Sequence, residues 1–356
     1  MKLRNLVPLT AVATGLAAVL ALAACGSPTP AAGPAAVPAA VSPAELAGVT
    51  LRVGDQKGSS LQVLLRSAGL LDSTPYHLQW SNFTSGPPML EAANANAIDI
   101  GQVGNTPPIF SAAANGNIDI VGALRSPVGD ALLVPKGSPL TTLADLRGKT
   151  IAVAKGSSAN GTLFNTLAKA GLKPTDVTLS YLQPSDAYAA FNQGSLAAWA
   201  VWEPYVAEAV QSLGARELVS GADALGGTGL AGGTALSNGY SLQVANRASL
   251  ADAGKNSAIR DYVVRVDKAY LWAKSHPDEW ATIYTQQTGI PLSTAKVAVP
   301  RLSLSPVAVD DALVASEQQL ADAFASAGQL PGKVDIAGYV DRRYNSVVGP
   351  LVTATK

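Results

Sequence analysis

The sequence predicts an α/β protein whose β-sheets are mainly parallel. Short apolar or β-rich runs alternate with amphipathic segments from about residue 50 onward, which is typical of parallel strands joined by helices. About 300 residues follow the N-terminal segments, enough for two lobes of roughly 100 to 150 residues each. The junctions after four of the predicted strands are rich in Gly, Ser, Asn and Pro, which are residues that begin helices.

The first 24 residues have the pattern of a secretory signal peptide. Lys2 and Arg4 precede an apolar run over 6–22, and Leu-Ala-Ala-Cys at 22–25 resembles the bacterial lipobox. We therefore expect Cys25 to become lipidated and to anchor the mature protein to the outer face of the cytoplasmic membrane, on its periplasmic or cell-wall side. An uncleaved transmembrane helix is the alternative, because the apolar run is only slightly short of a membrane span. Both interpretations place the folded part outside the cytoplasm.

Residues 25–48 are interpreted as a flexible tether, because an Ala-rich segment with several prolines cannot bury a core. Cys25 is the only cysteine, so the chain is expected to lack an intramolecular disulfide. Removal of the leader takes Lys2 and Arg4 from a chain of 25 basic and 25 acidic residues, which leaves a formal charge of −2. This charge argues against nucleic acid as a partner.

Ten short runs of apolar and β-branched residues are predicted to be strands. They span residues 51–55, 77–83, 98–103, 118–124, 131–134, 150–154, 178–182, 197–202, 216–219 and 240–245.

Beyond residue 256 the pattern turns helical, and two apolar stripes are predicted to face the core. Each recurs at helical spacing, and Gly328 after the second is a residue that commonly ends helices. The stripes consist of Ile259, Val263, Val266 and Tyr270, then Val309, Leu313, Leu320 and Phe324.

Four strand-to-helix junctions carry the functional prediction. They contain Gly-Ser-Ser at 58–60, Ser-Gly-Pro-Pro at 85–88, Gly-Asn-Thr-Pro-Pro at 104–108 and Gly-Ser-Ser at 156–158. Because the carboxyl ends of parallel strands meet at one edge of a sheet, several helix N-termini are expected to converge on one crevice. The alternative is that these residues only cap helices, and their recurrence at four junctions argues against it.

Such a crevice suits a small organic anion. Helix N-termini present N–H donors and a partial positive charge, glycine allows close approach, and serine adds hydroxyl groups. A sulfonate is permanently ionised and has three acceptor oxygens, so a pocket made of donors matches it without many formal cations.

Six motifs follow one another in order between about residues 51 and 344. They are Gly-Asp-Gln-Lys-Gly-Ser at 54–59, Ser-Gly-Pro-Pro-Met-Leu-Glu-Ala at 85–92, Gly-Asn-Thr-Pro-Pro-Ile-Phe at 104–110, Ala-Lys-Gly-Ser-Ser at 154–158, Pro-Ser-Asp-Ala-Tyr-Ala-Ala-Phe at 184–191 and Ala-Trp-Ala-Val-Trp-Glu-Pro-Tyr at 198–205. This series resembles the aliphatic-sulfonate-binding proteins of ABC transporters, in the sulfonate, taurine and nitrate branch.

The resemblance implies a two-lobed type II periplasmic-binding-protein fold, in which two crossing segments join the lobes and the ligand is enclosed between them. Lobe 1 is expected to comprise 49–135 and 240–346, lobe 2 to comprise 136–239, and 347–356 to form a C-terminal tail. The implied partners are a small anionic ligand, most readily a sulfonate, and an ABC permease in the membrane. The protein is expected to be a monomer. Taurine, nitrate or another small ligand is an alternative, as is a ligand sensor on the same fold.

The junctions and the resemblance together give twelve candidate ligand-binding residues. Trp202 offers apolar area to a carbon chain, although a Trp at a strand end also suits a core. The candidates are Gln56, Lys57, Gly58, Ser59, Ser85, Gly86, Asn105, Gly156, Ser157, Ser158, Trp202 and Glu203.

Three positions depart from the family pattern. Asp55 stands where an aromatic residue is usual, and Asn105 and Glu203 stand where Asp is usual. A carboxylate at position 55 disfavours a neighbouring dianion and is able to pair with Lys57 or with a ligand amine.

The sequence argues against an enzyme. Proteins of related fold include a sulfinate desulfinase, which depends on a Cys, and a thiamine-pyrimidine synthase, which depends on Cys and His residues. In this chain the single cysteine, Cys25, lies in the lipobox, and the two histidines are His77 and His276. We expect no cofactor and no metal, because these histidines lack partner ligands in the pattern. The G-x-G-x-x-G string at 227–232 neither directly follows a strand nor opens a helix, so it is interpreted as a loop rather than a dinucleotide site.

Overall fold

The structure is a computed structural model of the chain, and it describes residues 37–226 and 235–353. The predicted signal peptide, Cys25, the first half of the tether and the Gly-rich string at 227–232 lie outside the described residues. Within them, none of the helices combines the length and the apolar character that a membrane span needs.

Eleven strands form the two sheets of the described chain. They are β1 (Thr50–Gln56), β2 (His77–Phe83), β3 (Ile100–Gly104), β4 (Ile118–Arg125), β5 (Ala131–Val134), β6 (Thr150–Val153), β7 (Thr178–Tyr181), β8 (Ala198–Val201), β9 (Arg216–Val219), β10 (Tyr240–Asn246) and β11 (Ser305–Val307).

Fourteen α-helices surround these sheets in the described chain. They are α1 (Pro43–Leu46), α2 (Leu61–Ser67), α3 (Gly86–Asn94), α4 (Thr106–Ala113), α5 (Ser158–Lys169), α6 (Pro184–Asn192), α7 (Tyr205–Leu213), α8 (Gly221–Ala224), α9 (Arg247–Ala251), α10 (Ala253–Ser275), α11 (Pro277–Thr288), α12 (Leu292–Arg301), α13 (Asp311–Ser326) and α14 (Asn345–Thr353). Short 3-10 helices lie at Leu143–Leu146, Pro174–Asp176 and Ile336–Tyr339.

The two sheets are mixed, but most strands of each sheet point in one direction, with β10 and β11 reversed in the first sheet and β5 reversed in the second. This arrangement, flanked by helices, confirms the predicted α/β fold class. The first has the order β11-β4-β10-β3-β1-β2, and the second has the order β7-β6-β8-β5-β9. Strand β10 runs antiparallel to both of its neighbours, and β5 does the same in the second sheet. All ten predicted strands are present, with ends within about two residues of the prediction.

The chain passes between the sheets twice. Residues 126–130 lead from β4 to β5, and a second segment returns the chain from the second sheet to β10. These crossings are bonded to each other, since the Ser126 amide donates to the Gly239 carbonyl at 2.8 Å and the Gly129 amide donates to the Gly221 carbonyl at 2.7 Å. Two bonded crossings form a hinge on which the lobes are able to turn.

Three expected boundaries need correction. Strand β5 pairs with β8 and β9, so residues 131–134 belong to the second sheet and not to lobe 1. The expected tether ends early, because the Val41 amide donates to Ser257 Oγ at 3.2 Å and α1 follows. The expected tail from residue 347 lies largely in α14, where Val348 is buried.

Both predicted helical stripes lie in the core. Ile259, Val263 and Val266 on α10 are fully buried, and Leu313 and Phe324 on α13 are buried as well. Gly328 adopts a positive φ of 66° just after α13 ends, as a helix stop requires. Strand β11 was not predicted, because it has three residues and one of them is Pro306.

Asp99 joins three separate segments at the base of the first sheet. Its side chain is fully buried and accepts from Arg52 Nη2 at 2.6 Å, Lys255 Nζ at 2.9 Å and Ser249 Oγ at 2.7 Å. Burial raises the pKa of Asp99, but the hydrogen bonds from Arg52 and Lys255 outweigh it and hold the pKa at about 2. The ionised carboxylate therefore stabilises the folded chain.

We expect Asp99→Asn to lower the free energy of unfolding by about 2 to 4 kcal/mol, because two cations lose their buried partner. Urea unfolding followed by circular dichroism measures the loss, with the exposed Asp72→Asn as control. A carboxyl group whose pKa is lowered by folding stabilises the folded state at pH values above its unfolded pKa of about 3.9. The difference in unfolding free energy between wild type and Asp99→Asn should therefore shrink as the pH falls towards 2. A variant as stable as wild type at pH 7 would contradict this role.

Candidate ligand-binding site

A cavity lies between the two sheets, at the carboxyl ends of β1, β3, β6 and β8. Nine of the twelve candidate residues line it, and they come from both lobes. They are Gln56, Gly58, Ser59, Gly86, Asn105, Ser157, Ser158, Trp202 and Glu203. Strand polarity thus gathers residues that are far apart in the sequence, as expected for an open parallel sheet.

The other three candidates lie outside the cavity lining. Lys57 is exposed. Ser85 is completely buried, and its hydroxyl has no hydrogen-bond partner within the described chain. Gly156 is buried at a positive φ of 72°, and a Cβ there would lie 3.6 Å from Phe110 and Pro87. Ser85 and Gly156 are therefore buried outside the cavity wall.

Helix α5 begins at the cavity, and some backbone N–H groups of its first turn are available to a ligand. Ser157 is its N-cap: its hydroxyl donates to the Ala154 carbonyl at 2.7 Å and accepts from the Asn160 amide at 3.3 Å. The backbone N–H groups of Ser158 and Ala159 have no acceptor among the described residues. These two N–H groups, together with the helix dipole, form a place for an anion.

The start of helix α2 is already occupied by Asp55. Its carboxylate accepts from the Leu61 and Gln62 amides at 3.0 Å each, and from the Gln56 amide at 2.7 Å. Burial raises the pKa of Asp55, and these three donors act in the opposite direction. The expected pairing of Asp55 with Lys57 is therefore not what the structure has; the carboxylate takes the place that a bound anion would have taken.

Helices α3 and α4 offer few donors because of their prolines. The second and third residues of α3 are Pro87 and Pro88, and those of α4 are Pro107 and Pro108. Proline has no N–H, so each helix starts with fewer backbone donors than an ordinary helix has. Of the four junctions that the sequence singled out, the one at the start of α5 keeps the most backbone donors.

Aromatic side chains form the apolar part of the cavity. Trp202 comes from the end of β8, while Tyr270, Trp280 and Tyr284 come from α10 and α11. The Tyr284 hydroxyl donates to the Gly58 carbonyl at 2.9 Å, which fixes the loop after β1. The sequence indicated Tyr270 only as core, because helical spacing does not distinguish a core face from a cavity wall.

Arg301 joins the lobes at the cavity. Its Nε lies 2.8 Å from Glu203 Oε1, and its Nη1 lies 3.2 Å from Glu217 Oε1. Burial raises the pKa of Glu203 to about 7, although the charge of Arg301 acts to lower it. The other oxygen of Glu203 accepts from the Ala207 amide at 3.1 Å. The carboxylate of this candidate residue is therefore engaged by the protein itself.

The lobes are in direct contact around the cavity. A Cβ on Gly104 of β3 would lie 2.7 Å from Ser158 Cβ, and a Cβ on Gly58 would lie 3.4 Å from the Glu203 carbonyl. On another side, the Phe324 ring packs against Phe110 at 5.1 Å and Phe164 at 5.4 Å between centroids. The structure is thus a closed form.

The histidines and acids of the described residues include no group of three or more side chains placed to hold a metal. His276 is exposed and stacks on Trp272, with 5.0 Å between ring centroids.

The chain is similar to a family of binding proteins. Residues 43–221 match the model of the NMT1-like family. A protein of Escherichia coli strain K12, named as a candidate aliphatic-sulfonate-binding protein, is 36% identical over 82% of this chain and 89% of its own length.

Two solved structures extend this similarity. The alkanesulfonate-binding protein SsuA from Xanthomonas axonopodis pv. citri, bound to MOPS, is 32% identical with a TM-score of 0.72, over 82% of this chain and 98% of that one. The periplasmic aliphatic sulphonate binding protein SsuA from Escherichia coli is 36% identical with a TM-score of 0.69, over 82% and 92%.

Proposed function

Since this chain belongs to the aliphatic-sulfonate-binding proteins of the NMT1-like family, we propose that it is an extracytoplasmic solute-binding protein that captures an aliphatic sulfonate for an ABC importer. Like these relatives, it is a binding protein and not an enzyme. The observation that carries the proposal is the open start of α5 inside a cavity between two lobes.

The sulfonate group would lie against the N–H groups of Ser158 and Ala159. Each such charge-assisted bond contributes about 1.5 to 3 kcal/mol net. The carbon chain would lie against Trp202 and Tyr284, where apolar burial adds about 25 cal/mol per Å². These gains together must offset the loss of translational and rotational freedom on binding, which costs at least about 4 kcal/mol.

Ligand capture would close the two lobes about the bonded crossings. An anion bound at α5 favours the closed state through contacts that only that state completes, such as those of Gly58 with the loop after β8. The closed form would present the surface that the permease recognises. Cys25 would carry the lipid that keeps the protein at the membrane.

We expect the start of α5 to dominate sulfonate affinity. Ser158→Pro removes the backbone N–H at a helix position that tolerates proline, and it should weaken ethanesulfonate binding at least tenfold in isothermal titration calorimetry. Ser158→Ala removes only the hydroxyl and should change the affinity less than threefold. Asp311→Pro, at the exposed first residue of α13, is the matched proline control and should bind like wild type.

Equal affinities of Ser158→Pro and Ser158→Ala would show that the anion binds elsewhere. Titration of nitrate and sulfate in the same experiment tests the ligand class, because tighter binding of either than of ethanesulfonate would replace the sulfonate proposal.

We expect Gly104→Ala to oppose closure, because the added Cβ would meet Ser158 at 2.7 Å. Small-angle scattering of wild type should show a smaller radius of gyration with saturating ethanesulfonate than without it, and the variant should show little decrease. Gly332→Ala, which has no atom within 4 Å of the added Cβ, is the control. The same radius for wild type with and without ligand would contradict lobe closure.

The lipid anchor is tested by growth of a producing strain with an alkyne-labelled fatty acid. We expect label on the wild-type protein and none on Cys25→Ser. Label that persists on the variant would exclude Cys25 as the lipidation site.

A further inference from the structure

Asp130 lies in the first crossing segment and lines the cavity. It is 7% exposed, and its carboxylate accepts from Ser158 Oγ at 3.2 Å and from Thr162 Oγ1 at 3.3 Å. Both donors are neutral hydroxyls on α5, the helix whose start is open to an anion. Asp130 therefore adds a negative charge beside the place where a sulfonate would lie.

The charges of the described cavity wall do not balance Asp130. Arg301 is the one lysine or arginine of the described residues that lines the cavity, and it is paired with Glu203 and Glu217. No described cation forms an ion pair with Asp130. Burial raises the pKa of Asp130 to about 6, so the group is still mostly ionised above pH 7. A buried carboxylate without a cation is costly, and a positively charged ligand group would remove that cost.

Gln102 supplies a second, independent acceptor. It lines the cavity and is 4% exposed. Its Nε2 donates to Ser241 Oγ at 3.0 Å and to the Tyr270 hydroxyl at 2.8 Å, which leaves Oε1 without a hydrogen-bond partner among the described residues. A buried acceptor without a donor marks a place where a ligand N–H fits.

The two acceptors belong to one region of the cavity. Ser158, which donates to Asp130, contacts Gly104, and Gly104 lies opposite Ser241 in the sheet. Ser241 in turn accepts from Gln102. Asp130 thus lies beside the start of α5, and a series of contacts through Ser241, Gly104 and Ser158 joins Gln102 to it.

We propose that this cavity selects sulfonates that also carry a protonated amine on a short spacer, with the sulfonate at the start of α5 and the ammonium group facing Asp130 and Gln102. The inference rests on the proposed function and narrows its ligand class. A sulfonate without an amine brings a second negative charge beside Asp130, whereas an aminosulfonate brings its own compensating cation.

The test compares ethanesulfonate with 2-aminoethanesulfonate by isothermal titration calorimetry at pH 7.5. Wild type should bind the aminosulfonate at least tenfold more tightly. Asp130→Asn should lose at least tenfold in affinity for the aminosulfonate and gain affinity for ethanesulfonate, so that the preference disappears. Asp186→Asn, an exposed position on α6, should retain the wild-type preference.

Wild type that binds ethanesulfonate as tightly as 2-aminoethanesulfonate would overturn the inference and leave the proposed function intact. Binding of neither sulfonate would overturn the proposed function itself. The wild-type comparison decides the question even if Asp130→Asn fails to fold. An unchanged preference in a folded Asp130→Asn would exclude Asp130 as its source.

Discussion

The proposed site depends on the backbone N–H groups at the start of helix α5. Of the four helix starts that the sequence singled out, α2 is capped by Asp55, and α3 and α4 have prolines at their second and third positions. An anion inside a nearly closed cavity must be held by dipoles, because the one lining cation of the described residues, Arg301, is engaged by two glutamates. The arrangement favours a single, oriented anion over a cluster of anions.

The close approach of the two lobes around the cavity depends on a glycine, and the crossing segment contributes a residue to the cavity wall. Gly104 allows β3 of the first lobe to approach Ser158 of the second, because a Cβ at this position would lie only 2.7 Å from Ser158 Cβ. Asp130 lies at the end of one crossing and is bonded to Ser158, so the hinge and the candidate site share a residue. A ligand group that pairs with Asp130 would therefore act on the crossing as well as in the cavity.

The strands and the junctions were predictable from the sequence because their signals are local. Runs such as 77–83 are β-rich over several residues, and strand polarity alone places Ser157 and Trp202 at the same edge. Strand pairing is not local, which is why residues 131–134 were assigned to the wrong lobe. Arg301 and Tyr284 were missed because they come from α12 and α11, which do not follow strands, whereas the site prediction used strand-to-helix junctions. The capping by Asp55 joins residues six and seven positions apart, beyond the usual capping pattern.

A crystal structure of the protein with a bound short-chain sulfonate tests the central claim most directly. The account expects the sulfonate oxygens within hydrogen-bond distance of the Ser158 and Ala159 amide nitrogens, with the carbon chain against Trp202 and both lobes in contact with the ligand. A sulfonate found at any other helix start, or on one lobe alone with the α5 amides unoccupied, would contradict it.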